Sequence, residues 1–210
     1  MTQKAVKAMK YILVILIGYL LGCSNMAYYL AKAARADLRS AGSGNLGASN
    51  AVVLLGWKAG VLTAVHDIGK AAVAVLLAKW LFPELEHAGA VAGVACVLGH
   101  IFPFYLKFRG GKGFASYFGM TLALNWRLAL VVAVAVVVVT ILTDYIVCGT
   151  LTTILSVPLY IGFTRSWITA LILMAATAVI IYKHRENFPR MLNGTELGLR
   201  SAIRGDNRIR

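Results

Sequence analysis

The sequence predicts an all-α integral membrane protein with seven transmembrane helices, forming a single membrane-embedded domain over 1–210. Three observations predict it. Hydrophobic residues make up 60% of the 210-residue chain, with a mean hydropathy of +0.76. Soluble globular chains stand nearer ~45–50% apolar. The apolar residues fall into seven runs, most of them close to the ~20 residues that cross a ~30 Å hydrocarbon core. Charged residues are only 14% of the chain yet leave a net charge of +13, so cations are concentrated in the gaps between runs. Those cations punctuate apolar segments and form no water-facing stripe. That argues against nucleic acid and for anionic lipid headgroups and phosphorylated substrates.

The first run, 11–31, follows Lys4, Lys7 and Lys10 and has the basic front of a signal peptide. It continues for about twenty residues without a small-residue cleavage site, so it reads as a retained helix. The second, 59–80, contains His66, Asp67 and Lys70. Asp67 and Lys70 lie three apart on one helix face and can pair; ionisable groups at membrane depth point to function or to an ion pair fixing register. His66 reads as a helix-packing contact. The third run, 88–107, follows Pro83, Glu84, Glu86 and a surface His87. The fourth, 114–125, is short; the fifth and sixth, 127–143 and 145–163, are divided only by Thr143-Asp144; the seventh is 166–183. Five crossings, with the middle region folded differently, is the alternative. Arg127 and Arg165 read as interfacial side chains. Cys23, Cys96 and Cys148 lie in or beside apolar runs without metal-ligand spacing and read as free thiols, and no metal or cofactor is expected.

Counting Lys and Arg orients the spans. The 32–58 segment carries Lys32, Arg35, Arg39 and Lys58, and the 107–113 segment carries Lys107, Arg109 and Lys112. The tail carries Lys183, Arg185, Arg190, Arg200, Arg204, Arg208 and Arg210, so these three segments hold fourteen of the 21 cations. Seven crossings put all three on one side, read as cytoplasmic, with the acidic loop near Pro83 opposite. The basic N-terminus runs against this assignment.

Each of these segments has chemistry beyond charge. GSGNLGASN (42–50), after Asp37-Leu38-Arg39, offers turns at Gly42, Gly44 and Gly47 and short polar side chains at Ser43, Asn45, Ser49 and Asn50. Its plain reading is a flexible loop or a helix N-cap. GHIFPFYLKFRGGKG (99–113) packs Gly110, Gly111 and Gly113 beside Arg109 and Lys112. Glycines there permit positive φ and expose N–H groups, as an anion cradle at a bilayer edge requires; a basic anchor is the plain reading. HRENFPRMLNGTE (184–196) ends the last span. With His100 and His184, the three segments provide what is needed to hold phosphate and orient a hydroxyl nucleophile.

In this order, and with GYLLG in the first span and Asp67…Lys70 in the second, the segments resemble the PlsY family of acyl-phosphate:glycerol-3-phosphate acyltransferases over nearly the whole chain. The resemblance implies a seven-helix enzyme of the bacterial inner membrane with a cytoplasmic active-site face. It implies acyl transfer from acyl phosphate to the sn-1 hydroxyl of glycerol 3-phosphate, giving lysophosphatidic acid and phosphate, in contact with membrane lipid. A peripheral acyl-phosphate synthase is the implied partner. Carried onto these residues, Ser43, Gly44, Asn45, Ser49, Asn50, Arg109 and Thr150 contact substrate or phosphate, and Lys112 with the Gly110 and Gly111 amides holds it. Lys112 acts as a fixed charge, not a base. His184 and Asn187 sit by the reacting hydroxyl with Glu196 supporting them, and Asp67, Lys70, His100 and Arg190 play supporting parts. An acyl phosphate is an activated anhydride, so placement and charge neutralisation suffice without a covalent protein nucleophile.

Three positions depart from the family pattern. Val53 stands where an Arg is usual, Ala71 follows Lys70 in place of Gly, and 147–150 reads VCGT with Thr150 as its only hydroxyl. These departures leave open a weakened or regulatory relative that binds acyl phosphate or its synthase. A third reading, an anion transporter, finds no inverted hydropathy repeats in its favour.

Overall fold

Thr2 caps α1 (Gln3–Cys23), an apolar helix that stops where Ser24 and Asn25 leave helical geometry. Asn25 is extended, at φ −135° and ψ 103°, and its Oδ1 accepts from Tyr28 N at 2.8 Å, so it opens a second helix, α2 (Met26–Ala33). The first span is thus two helices with a polar joint. After the 34–47 loop come α3 (Ala48–Leu55) and α4 (Trp57–Leu81), divided by Gly56 at φ +88°. Then α5 (Ala88–Ile101) turns through a 3-10 segment at Phe104–Leu106 into the 107–113 loop and α6 (Phe114–Leu124). The remaining helices are α7 (Trp126–Thr143), α8 (Ile146–Thr164), α9 (Trp167–Lys183) and the short α10 (Asn187–Leu192). This computed structural model describes residues 2–40, 42–196 and 198–200; of the tail cations, Arg204, Arg208 and Arg210 lie outside them.

Among the described residues, five helical stretches are long and apolar enough to cross a membrane: Gln3–Ala33, Trp57–Leu81, Ala88–Leu106, Trp126–Thr143 and Ile146–Thr164. The other two runs form α6 and α9, at 11 and 17 residues. The chain divides into two compact units, Met1–Leu124 and Asn125–Arg210.

In the first unit, α1 lies directly against α5. A Cβ on Gly18 would stand 2.4 Å from Ala92 O, and one on Gly22 2.1 Å from Cys96 O. Small residues let backbones approach this closely, which is how helices associate in a solvent as apolar as their side chains. Lys10, near the start of α1, pairs with Glu84 at 2.5 Å. At the other end of the unit, Arg39 meets the 106–109 backbone. The 32–58 and 107–113 segments therefore share one end, and the basic N-terminus shares the other with the acidic loop that neutralises part of it. His87, expected at the surface, is a half-buried residue at the start of α5, 3.9 Å from Glu86.

In the second unit, α8 packs against both α7 and α9, and Thr177 Oγ1 donates across to Ile154 O at 2.8 Å. Asp144, left-handed at φ 74°, makes the α7–α8 turn. Leu199 N donates to its carbonyl at 2.7 Å and Arg200 N to its Oδ1 at 2.8 Å, so the tail returns to this turn. The three cysteines are free, Cys23 and Cys96 buried and Cys148 half-buried.

Candidate active site

The 42–50 loop is held from beneath by Leu38 and Leu46, buried with Ala27, Ala31, Ala51 and Leu106 in one small apolar cluster. Gly42 and Gly44 take positive φ, at 61° and 65°, and bend the backbone so that Ser43 stands exposed. Ser49 is exposed on the first turn of α3, and Asn45 is half-buried. Asn50 differs. Its side chain is 3% exposed; Oδ1 accepts from Ser43 N at 3.0 Å and Nδ2 donates to Leu38 O at 2.8 Å. It shapes the loop from inside instead of facing a ligand.

The 107–113 loop corrects the reading of its glycines. Gly110 N donates to Ile101 O at 2.9 Å and Gly111 N to His100 O at 3.1 Å. The two amides satisfy carbonyls that the last turn of α5 leaves without intrahelical partners, so they do not form an anion cradle. Neither glycine has positive φ; Gly113 does, at 97°. What Gly110 and Gly111 supply is room: a Cβ on Gly111 would stand 2.0 Å from His100 Nε2, and one on Gly110 2.0 Å from His100 O. The cations this loop can present are therefore the exposed Lys107 and Arg109 and the half-buried Lys112, and of these Arg109 and Lys112 flank the glycines.

Behind the loop lies a buried polar cluster. Lys70 Nζ reaches Asp67 Oδ1 at 2.8 Å, Ser24 O at 2.6 Å and His100 Nδ1 at 2.9 Å, three acceptors for the three donors of an ammonium. The pair expected from the three-residue spacing is thus present and extended. His100 Nδ1 also stands 3.4 Å from Asp67 Oδ1. His66, expected only to pack, joins the cluster: Nε2 lies 2.9 Å from Ser24 Oγ and Nδ1 3.4 Å from Asp67 Oδ1. Charges at this depth persist because each is paired and hydrogen-bonded. The cluster fixes α4 to the α1–α2 joint and to His100, directly under Gly111. Ser24 and Arg39 had no role assigned from sequence; the polar joint at Ser24-Asn25 and the Asp37-x-Arg39 spacing were the available signals.

In the second unit, the end of α9 and α10 bring together His184, Asn187, Arg190 and Glu196. His184 Nδ1 lies 2.8 Å from Ile180 O. A carbonyl can only accept, so Nδ1 carries the proton and a neutral ring has its lone pair on Nε2. Glu196 receives Asn187 Nδ2 at 2.5 Å on one carboxylate oxygen and Arg190 Nε at 2.8 Å on the other. Glu196 N returns to Arg190 O at 3.0 Å, closing the turn. His184 and Asn187 are 5% and 2% exposed, and so belong to a preformed buried arrangement. Thr150, on α8, is buried.

Membrane-length helices, a buried ion-paired cluster within them and cation-bearing polar loops at their ends define an integral membrane protein built to handle an anionic substrate at the bilayer edge. The chain belongs to the glycerol-3-phosphate acyltransferase family, whose model matches residues 12–194. It is 39% identical over 201 residues to the glycerol-3-phosphate acyltransferase of Thermoanaerobacter pseudethanolicus, covering 92% of this chain and 98% of that one. The Clostridioides difficile protein of the same name is 36% identical over 191 residues, covering 89% and 94%. Among solved structures, the fold is similar to the crystal structure of PlsY (YgiH), an integral membrane glycerol 3-phosphate acyltransferase, in its glycerol 3-phosphate form. The TM-score is 0.85 at 31% identity, covering 91% of this chain and 96% of that chain. The lysophosphatidic acid form of PlsY gives 0.81 at 31% identity, covering 90% and 94%. The all-helical, multi-pass membrane class and the family expected from the sequence agree with these findings.

Proposed function

We propose that this chain, acting over 1–210 as one acyltransferase domain, transfers an acyl group from acyl phosphate to the sn-1 hydroxyl of glycerol 3-phosphate. The products are lysophosphatidic acid and phosphate. The observation that carries the reading is the similarity, at a TM-score of 0.85 over 91% of the chain, to a glycerol 3-phosphate acyltransferase in its glycerol 3-phosphate form. The hydroxyl oxygen attacks the acyl carbon, the bond from that carbon to the phosphate oxygen breaks, and the hydroxyl proton ends on the departing phosphate. Lys112 and Arg109 offset the charge of the phosphates, and the hydroxyls of Ser43 and Ser49, with the polar 44–45 backbone and side chain, orient them. His184 Nε2 accepts the substrate hydroxyl and draws electron density toward its oxygen, while Asn187, held by Glu196 and Arg190, fixes its direction. Asp67, Lys70 and His100 support the loop of Lys112, and Thr150 on α8 adds a hydroxyl for the phosphate. The setting is the bacterial inner membrane with the loops cytoplasmic, fed by a peripheral acyl-phosphate synthase.

Purified protein in lipid, given acyl phosphate and glycerol 3-phosphate, is expected to release phosphate and form lysophosphatidic acid. Lys112→Ala should lower kcat/KM by ~100-fold or more, the scale of removing one charged stabiliser of the transition state. Wild-type protein that forms no product from this pair defeats the proposal. One observation favours a second reading, a weakened or regulatory relative: Val53 is 37% exposed on α3 and places an apolar side chain where the family pattern has a guanidinium. Under that reading Val53→Arg raises turnover; an active wild type that gains nothing from it rejects a lost clamp.

A further inference from the structure

Arg39 takes no part in the chemistry proposed for the site, yet its side chain is tied into the loop that carries Lys112. Arg39 Nη2 donates to Leu106 O at 3.0 Å and to Arg109 O at 2.8 Å. Those two carbonyls flank Lys107 and Phe108, which both lie in the left-handed region, at φ 54° and 58°. Residues with a Cβ are strained there, and two in succession persist only where the surroundings over-determine them. From within the loop, Phe108 N donates to Pro103 O at 3.1 Å and Arg109 N to Leu106 O at 3.2 Å. From outside it, Arg39 spans the strained pair.

The other end of Arg39 is equally fixed. Its N–H donates to Asp37 Oδ1 at 2.9 Å, and the preceding Leu38 is 1% exposed. Leu38 O accepts from Asn50 Nδ2 at 2.8 Å, and Asn50 Oδ1 accepts from Ser43 N at 3.0 Å. A continuous set of bonds therefore runs from Ser43, through Asn50 and residues 38–39, to both sides of the 107–108 bend.

We propose that Arg39 is a positioning residue: its guanidinium holds the strained Lys107-Phe108 bend and so fixes where Lys112 stands relative to the serines of the 42–50 loop. One guanidinium nitrogen aims two N–H groups at fixed angles to two carbonyls. A lysine keeps the charge but has a shorter stem, a rotating ammonium and a tighter hydration shell. The proposal rests on the acyltransferase reading for its kinetic readout alone.

The test uses full-length protein in lipid, with Arg39→Lys, Phe108→Gly and the double variant. Arg39→Lys is expected to lower kcat/KM for glycerol 3-phosphate by ~10- to 100-fold, the scale of a small misplacement of a catalytic group. Hydrogen exchange at the Phe108 and Arg109 amides should quicken in the same variant. Phe108 is exposed, and glycine accepts positive φ without strain, so in the Phe108→Gly background only Lys107 stays strained and the bend depends far less on the clamp. There, Arg39→Lys should change kcat/KM by no more than ~3-fold, the non-additivity expected of coupled residues. Wild-type kinetics for Arg39→Lys overturns the proposal, because charge alone then suffices. An equal loss in both backgrounds also overturns it, because Arg39 then acts away from the bend. If the wild type lacks activity the acyltransferase reading fails by itself, and unchanged amide exchange in Arg39→Lys still rejects the clamp.

Discussion

His184, at the end of α9, and Glu196, beyond α10, differ in what their removal takes away. With Nδ1 held by Ile180 O, His184 offers Nε2 as its only acceptor, so His184→Gln replaces a basic lone pair by an amide and removes base assistance outright. A ~100-fold or greater fall in kcat is expected, the usual scale for a general base. Glu196→Gln keeps an acceptor for Asn187 and loses the ion pair to Arg190, which is partly exposed. A fall of ~10-fold is expected, since an exposed pair contributes at most ~1 kcal/mol, while charged hydrogen bonds contribute ~1.5–3 kcal/mol. Steady-state kinetics of the two variants checks the order; equal effects contradict this division of roles. In the first unit, at the end away from Arg39, the hydrogen bond from Lys10 holds the Glu84 carboxyl below its ordinary range. A carboxylate with a depressed folded pKa contributes stability that is present above its unfolded pKa of about 4.3 and lost as pH falls through the folded value. Glu84 is fully exposed, so the effect is small and salt-sensitive. Lys10→Gln should erase this acid limb in thermal melts without touching turnover.

The helices themselves were legible because run length and apolar content are dictated by the bilayer. Their contacts follow from glycine placement. Gly22→Val drives a branched side chain into Cys96 O, which a Cβ alone would approach to 2.1 Å. Overpacking of this kind costs about 1–3 kcal/mol or more and should lower Tm in detergent markedly. Gly69, with nothing within 4 Å of its would-be Cβ, is the control. Gly69→Ala should leave Tm level or raise it, since Ala exceeds Gly by about 1 kcal/mol in helix interiors. The Asp67–Lys70 pair was equally legible, because spacing alone decides which groups share a helix face. The break at Ser24-Asn25 was hidden inside a continuous apolar run, where only the N-cap preference of Asn25 marked it. The Gly110 and Gly111 amides escaped sequence reasoning for a different reason. A glycine-rich sequence says that the backbone can bend, but not which carbonyls its N–H groups will meet, and here the nearest unsatisfied acceptors were the end of α5. Arg39 escaped it because charge counting treats every cation as equivalent.

Across the whole molecule, the open choice is between seven crossings and five, and it turns on the two short helices. By itself α6 falls well short of a ~30 Å core at 1.5 Å per residue. Yet it starts at the 107–113 loop and its end meets Lys79, in the last turn of α4, where Lys79 Nζ stands 3.4 Å from Ala123 O. It therefore runs from one end of its unit nearly to the other. In the second unit, α9 leaves the Arg165 end of α8, and the chain that follows it reaches Asp144, at the start of α8, through Leu199 N and Arg200 N. A tail that did not follow a crossing helix would finish at the far end of α8, away from Asp144. Both short helices thus traverse their units, which supports seven crossings. The Thr143 turn separates the counts, since seven crossings place it on the side of Ser43 and five place it opposite. In a cysteine-free background, Ser43→Cys, Thr143→Cys and Arg185→Cys should all react with a membrane-impermeant maleimide from the cytoplasmic side only, and Lys4→Cys from the outer side only. Labelling of Thr143→Cys from outside, with Ser43→Cys labelled from inside, returns the count to five and takes α6 and α9 out of the bilayer-crossing set.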